Sequence, residues 1–226
     1  MIDCLYEDNH LLVVNKPAGL PTMGVAEGED SLINRCKQYV KEKYAKPGKV
    51  YLGIVSRLDS LVSGVIVIAR TSKAAARLND QFQLGTARKT YLGLVSGKMP
   101  PPKEKHLEHW MKKDEQAQKM LVLNDQREGW KQAKLSFRRL AEINNGMWLL
   151  EIDLQTGRKH QIRAQLAAIG WSICGDLKYG NLQKFPKGIG LHSRCLTIQH
   201  PTQARELSFS VSAPKSWKLA EHGLDY

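Results

Sequence analysis

Apolar and polar positions alternate with two different periods along this chain of 226 residues, and the switches between them mark its elements. Near the N-terminus, residues 4–6 and 11–15 read as a short hairpin turned at Glu7-Asp8-Asn9. Lys16-Pro17-Ala18-Gly19-Leu20-Pro21 then breaks the strand, because neither proline can donate to a ladder. Leu32, Ile33, Cys36, Tyr39 and Val40 recur at helical spacing, so a helix is expected over residues 32–44. Asp30 or Ser31 can cap it and Pro47-Gly48 ends it. Val65-Ile66-Val67-Ile68-Ala69 is too short and too β-branched for a helix and reads as a buried strand. Residues 72–83 return to the helical period with Ala74, Ala75, Leu78 and Phe82 inward. Residues 89–95 alternate again as a strand, and Pro100-Pro101-Pro102 marks a surface connection.

Short strands dominate the middle of the chain, over residues 107–111, 119–123, 133–140 and 147–153. Asn144-Asn145-Gly146 is a good hairpin turn between the last two. Gly157 opens a helix expected over residues 159–169, whose first turn carries several polar side chains. Residues 191–199 and 207–211 are further strands, and Pro214 starts a terminal helix. Repeats, low-complexity stretches and obvious linkers are missing. The pattern predicts an α+β fold dominated by antiparallel sheet with a few helices laid against it. It reads as one domain over residues 1–226, or as two subdomains that share one sheet with a cleft between them.

Charge changes the picture more than composition does. A hydrophobic content of 42% beside 25% charged residues is that of an ordinary soluble protein. No apolar run reaches the roughly 18 residues needed to cross a bilayer. The acidic N-terminal stretch lacks the layout of a signal peptide, so a cytoplasmic location is expected. The net charge of +12 favours a polyanionic partner, since phosphates neutralised by Lys and Arg release their counterions. Basic residues are spread through the chain, which suits a folded groove better than a basic tail. The four cysteines are scattered without a CxxC pair and read as reduced, partly buried thiols. His106 and His109 fall on opposite faces of an expected strand, which spoils metal chelation. Dinucleotide, nucleoside-triphosphate and esterase signatures are absent.

Two segments carry candidate chemistry. In Ser56-Arg57-Leu58-Asp59-Ser60-Leu61-Val62-Ser63-Gly64, one aspartate stands at the edge of the buried strand. By itself Asp59 reads equally as a turn residue or half of a surface ion pair. Near the sheet, with Arg57 or an arginine of the second segment to hold it ionised, it becomes a usable nucleophile. The second segment is Thr156-Gly157-Arg158-Lys159-His160-Gln161-Ile162-Arg163. A solvated basic turn is the plain reading, yet a helix N-terminus also attracts anions. Arg163, followed by Ala164 and Leu166, should point partly inward, and a buried arginine needs an acidic partner. Asp59 is the natural candidate for it, and Asp153 could pair with Arg158. Tyr91 is most simply a packing residue on its strand, although an extruded base needs a flat partner of this kind.

These segments resemble the signature motifs of the RluA-type pseudouridine synthases. Tyr6-Glu7-Asp8 through Asn15-Lys16-Pro17-Ala18-Gly19 is similar to the start of that family. Arg57-Leu58-Asp59 with Ser63-Gly64, then Lys89-Thr90-Tyr91, then residues 156–163 resemble its three motifs in order. Gly170, Gly175-Asp176, Tyr179-Gly180 and Leu191-His192 to His200-Pro201 continue the match. The resemblance implies a mixed, mainly antiparallel central sheet with flanking helices and a catalytic cleft, and an RNA isomerase with no cofactor or metal, acting on ribosomal or transfer RNA. It makes Asp59 the carboxylate that adds to the uridine, with Arg163 paired to it and Tyr91 stacked on the flipped base. Ile162 would wall the pocket, Arg57 would contact RNA or fill the gap left by the base, and Arg158 and His160 would bind substrate. Bond cleavage at N1, rotation of the base and re-attachment through C5 would complete the reaction. No separate RNA-binding module is read, so the groove must supply affinity, and a monomer is expected without contact to a membrane.

Ser56 and Gln165 stand where the family usually has histidine, and Val62 where it has threonine. Two rival classes remain. One is a catalytically weak or inactive RNA-binding homologue of the same fold, against which the joint presence of Asp59, Tyr91 and Arg163 argues. The other is a hydrolase of the N-glycosidic bond, which would need a second carboxylate such as Asp153. Pseudouridine, no product or free uracil would separate the three.

Overall fold

A computed structural model describes the chain except Met1, Val25, Glu27, Gly28, Lys46, Met99 and Asn145. Its contacts divide into two compact units, Met1–Ala87 with Ser193–Val211, and Arg88–His192 with Ser212–Tyr226. The first unit opens with the expected hairpin of β1 (Asp3–Glu7) and β2 (Leu11–Lys16), antiparallel with Asp3 opposite Asn15. Asp8 makes the turn: its Oδ1 accepts from the backbone N–H of His10 at 2.7 Å and of Leu11 at 2.8 Å. Helix α1 (Leu32–Lys43) is capped by Ser31, whose hydroxyl accepts from Asn34 N–H, and buries Leu32, Cys36 and Val40 one turn apart. After the short β3 (Gly53–Ile54), β4 (Ser63–Ala69) pairs antiparallel with β2 and is buried at all seven positions. That double-sided burial is why it reads as an unbroken apolar run. Helix α2 (Ser72–Leu84) runs from a Thr71 cap to Gly85 in the left-handed conformation.

The second unit is built on an antiparallel sheet. Strands β5 (Arg88–Ser96), β6 (Glu104–Asp114), β7 (Lys119–Leu123), β8 (Lys131–Asn144) and β9 (Met147–Leu154) lie in the order β7-β6-β8-β9-β5, antiparallel throughout. In it, β6–β7 and β8–β9 are the hairpins. Strand β6 extends beyond the alternating stretch at both ends. Its polar ends are held by ladder partners, Glu104 opposite Arg138 and Asp114 opposite Lys119, rather than by apolar burial. Asn145 of the expected Asn144-Asn145-Gly146 turn lies outside the described residues. Helix α3 (Gln161–Ala168) begins later than the expected start at Lys159, because His160 takes a left-handed φ of 49°. Arg158, Lys159 and His160 therefore belong to the loop before it. Strand β10 (Ser172–Ile173) pairs with β5. The expected C-terminal helix is instead two 3-10 turns, Lys215–Trp217 and Leu219–His222, separated by left-handed Lys218. Trp217 and Leu219 are nevertheless buried, in a cluster with Leu92, Leu94, Leu149 and Cys174.

The chain returns to the first unit along β11 (Leu191–Gln199), from Ser193 onward, and pairs antiparallel with β12 (Glu206–Ser210). Strand β4 neighbours β11. A Cβ on Gly64, whose φ is 115°, would fall on the Ser193 carbonyl, so the close approach of the two backbones requires glycine there. Val13, Val65, Val67, Leu196 and Ile198 form a common core with Ala74 and Leu78 of α2. All four cysteines are free. Burial pushes the Cys36 thiol up to about 12 and that of Cys174 up to about 11, which leaves both unreactive. No helix among the described residues is long and apolar enough to cross a membrane.

Asp8 also ties the end of this unit to its beginning. Its Oδ2 accepts from Tyr6 Oη at 2.8 Å and from His200 Nε2 at 2.7 Å. His200 Nδ1 accepts from Thr202 N–H, which makes Nε2 the protonated nitrogen. Partial burial raises the Asp8 carboxyl, but the donors of His10, His200, Tyr6 and Leu11 outweigh it and hold it at about 2. The folded value lies below the ordinary 3.8, so the stabilisation is complete above pH 4 and is lost as pH falls toward 2. It amounts to about 2 kcal/mol. Asp8→Asn should therefore lower urea stability by about that much at pH 7, with the gap to wild type closing between pH 4 and pH 2. A gap that does not change with pH would refute this account.

Candidate active site

The Asp59 segment is a loop held from both sides by the first unit. Ser60 O accepts from Gly19 N–H at 2.7 Å, and Leu58 O from the Thr22 hydroxyl at 2.7 Å. Asp59 itself sits on a turn closed by Val62 N–H onto Asp59 O at 3.1 Å. Its half-buried carboxylate accepts at Oδ1 from Leu61 N–H at 3.0 Å and from the Ser60 hydroxyl at 3.3 Å. Donors aimed at a carboxylate favour its charged form, which is the form a nucleophile needs. The buried strand β4 begins at Ser63, so the loop stands at the edge of a rigid strand. Arg57 is exposed, Leu58 is buried, Ser56 is half-buried and Val62 is 3% exposed.

Beneath the loop lies a residue that the sequence pattern marks only as part of a strand break. Lys16, at the end of β2, is fully buried. Its ammonium donates to Pro17 O at 3.0 Å, Leu20 O at 2.8 Å and Ser60 O at 3.3 Å. Burial pulls its pKa down to about 8, against the opposing pull of Asp59. The signal was present: Leu12, Val14 and Lys16 continue one period-two face, and a lysine on a buried face needs acceptors.

In the second unit, residues 156–163 form a tight loop entering α3. Gln161 closes it: its Oε1 accepts from Thr156 Oγ1 at 2.7 Å and Arg158 N–H at 3.0 Å, while its Nε2 donates to Lys134 O at 3.0 Å. Arg158 is exposed and donates Nε to Gln132 O at 2.9 Å. Asp153 accepts from the Thr90 hydroxyl at 2.9 Å. The expected Asp153–Arg158 pairing is thus replaced by local bonds of each residue. Ile162 is 4% exposed and Arg163 is 3% exposed. Arg163 carries a partner that the sequence did not reveal, Asp176, bound at Nε (2.6 Å) and at Nη2 (2.7 Å). Asp176 is the only acid between Asp153 and Glu206, which could have singled it out. Tyr91 on β5 is 8% exposed and lies opposite Ile152. His160 Nδ1 is 3.0 Å from the Tyr179 hydroxyl.

Gln165, one of the departures from the resembled motif, has a packing role. Fully buried on α3, it donates Nε2 to His109 Nδ1 at 3.0 Å and to Ala133 O at 3.1 Å. His109 is buried on β6 while His106 is exposed, as their spacing requires. Among the described residues no three His, Cys, Asp or Glu side chains converge as metal ligands would.

Residues 10–168 match the family model described as RNA pseudouridylate synthase. That stretch contains Asp59, Tyr91 and Arg163. The chain is 32% identical over 230 residues to the ribosomal large subunit pseudouridine synthase D of Zymomonas mobilis, covering 96% of this chain and 71% of that one. It is 29% identical to the dual-specificity RNA pseudouridine synthase RluA of Haemophilus influenzae, over 94% of this chain and 93% of the relative. The solved structure of human RNA pseudouridylate synthase domain containing 4 shares the fold, with a TM-score of 0.78 at 22% identity over 97% of this chain and 92% of the human one. With a match over most of its length and relatives above 30% identity, this chain belongs to the RNA pseudouridylate synthase family.

Proposed function

We propose that this protein isomerises specific uridines of ribosomal or transfer RNA to pseudouridine, with the Asp59 carboxylate as nucleophile. The observation that carries the reading is a carboxylate held by two donors on a braced loop, in a chain that belongs to this family. The target uridine is flipped out of its stack, Asp59 adds to it, and the bond between N1 and the ribose C1′ breaks. The base turns and re-attaches to C1′ through C5 as the carboxylate leaves; C5 then gives up its proton to solvent and N1 takes one up. Nothing is oxidised or reduced, so the chemistry balances within the nucleotide. Tyr91 provides the flat partner for the extruded base, and Arg163 the cation that keeps the reacting carboxylate ionised. Ile162 lines the base pocket, while Arg57, Arg158 and His160 bind the RNA backbone. The two units work as one catalytic domain, a monomer in the cytoplasm that needs no cofactor or metal.

The large excess of positive charge supports RNA as the partner. The relatives' names support RNA as the substrate, one being specified for the large ribosomal subunit and another as dual in specificity. The test is pseudouridine mapping on total RNA from cells lacking the protein, complemented with wild type or with Asp59→Ala. A site lost on deletion and restored by wild type alone establishes the activity and names the substrate. Unchanged sites with RNA still bound would make the chain an inactive RNA binder.

A further inference from the structure

We propose that Asp176 is a positioning residue for the isomerisation, fixing the plane and direction of the Arg163 guanidinium through its two-point ion pair. The inference rests on the proposed function, in which Arg163 serves the reacting carboxylate. Both side chains are buried, at 3% and 0% exposure, and the bonds of 2.6 and 2.7 Å run from Nε to Oδ2 and from Nη2 to Oδ1. A carboxylate bound across that edge uses two of the five N–H groups. It sets the direction in which the Nη1 side of the fork points.

Each partner is itself anchored. Asp176 N–H donates to Ile173 O at 3.0 Å, and its carbonyl accepts from Tyr179 N–H at 3.1 Å and Asn181 N–H at 3.0 Å. The Asn181 side chain is held in turn, accepting from Gly175 N–H at 3.1 Å and donating to the Ser96 hydroxyl at 2.8 Å. The ring of Tyr179 packs on the guanidinium with its centroid 5.1 Å away. Its hydroxyl accepts from Met120 N–H at 2.9 Å and reaches His160 Nδ1 at 3.0 Å. The guanidinium therefore has a carboxylate along one edge and an aromatic ring on one face. Arginine is long and rich in rotamers, so without this clamp its charged end would sample several positions. Geometry that loosens by about 1 Å can slow a reaction about a hundredfold.

A purely structural ion pair would stabilise the fold without touching the chemistry, and the experiment separates the two. Asp176→Asn, Arg163→Lys and the double variant are compared with wild type in single-turnover pseudouridine formation. The substrate is RNA extracted from cells lacking the protein. The Arg163 Nε–Hε resonance is followed by NMR in parallel. Asp176→Asn should slow the reaction at least tenfold at saturating RNA, with RNA affinity within threefold of wild type. The Nε–Hε signal should lose its downfield position. On the Arg163→Lys background the same change should cost less than a further twofold, because Asp176 acts through Arg163. Losses that multiply, or a folded Asp176→Asn that reacts within twofold of wild type, would overturn the proposal. If the Asn variant does not fold, Asp176→Glu keeps the charge and moves it by one methylene. A tenfold loss in that folded variant supports positioning, and full activity overturns it. Wild type that forms no pseudouridine fails the underlying function, whereas an unmoved Nε–Hε signal in a variant fails the positioning alone.

Discussion

Asp59→Asn should reduce pseudouridine formation by at least about a thousandfold while shifting stability by no more than about 1 kcal/mol. The asymmetry follows from how the loop is built. Asparagine keeps an oxygen where Oδ1 accepts from Leu61 N–H and the Ser60 hydroxyl, so the turn survives. The bonds that brace the loop, Gly19 N–H to Ser60 O and the Thr22 hydroxyl to Leu58 O, do not involve the side chain at all. What disappears is the negative charge and the ability to form a covalent bond. A second readout checks the electrostatics without any substrate. Asp59 opposes the fall in the Lys16 pKa, so removing its charge should let Lys16 titrate below its wild-type value of about 8. Following the Lys16 ammonium by NMR through a pH titration would show this. An Asn variant within tenfold of wild-type activity would remove Asp59 from the chemistry. An unmoved Lys16 titration would separate the two charges.

The elements that could be read from the sequence are those decided by burial. Strand β4 is apolar from Val65 to Ala69 and lies where its run of Val and Ile places it, and α1 and α2 follow their periodic faces and caps. The features that escaped are set by single dihedrals or by partners distant in sequence. Helix α3 begins at Gln161 because His160 adopts a positive φ, a state that composition does not announce. The ends of β6 are polar and owe their conformation to neighbouring strands, so alternation could not find them. Asp59, Tyr91 and Arg163, the residues singled out by type, all lie within the matched family stretch. Partner choice was less legible. Arg163 is buried, and its partner Asp176 lies 13 residues away along a path that only the fold defines. Lys16 hid for a similar reason, since three carbonyls from two segments make its site.

Lys16→Met should destabilise the protein by an amount that grows with pH. Methionine fills the space but leaves Pro17 O and Leu20 O without this donor, whereas Ser60 O keeps Gly19 N–H. Each orphaned carbonyl costs about 1–3 kcal/mol. At pH 7 that loss is offset in part, because the variant no longer buries an ammonium. A net loss of about 1–2 kcal/mol is expected there. The folded Lys16 value, about 8, lies below the ordinary 10.5, so between those values the unfolded chain holds more protons than the native one. Wild-type stability from this group is therefore flat below pH 8 and rises as pH climbs toward 10.5, by about 3 kcal/mol in all. The variant has no such gain. Urea unfolding of both proteins from pH 7 to 10.5 should show the gap widening, and other groups titrating in that range cancel in the difference. Activity at pH 7 should fall about tenfold or more, because Ser60 loses one of the two bonds that fix the position of Asp59. A gap that narrows with pH would mean that the three carbonyls stabilise the charged ammonium more than burial penalises it.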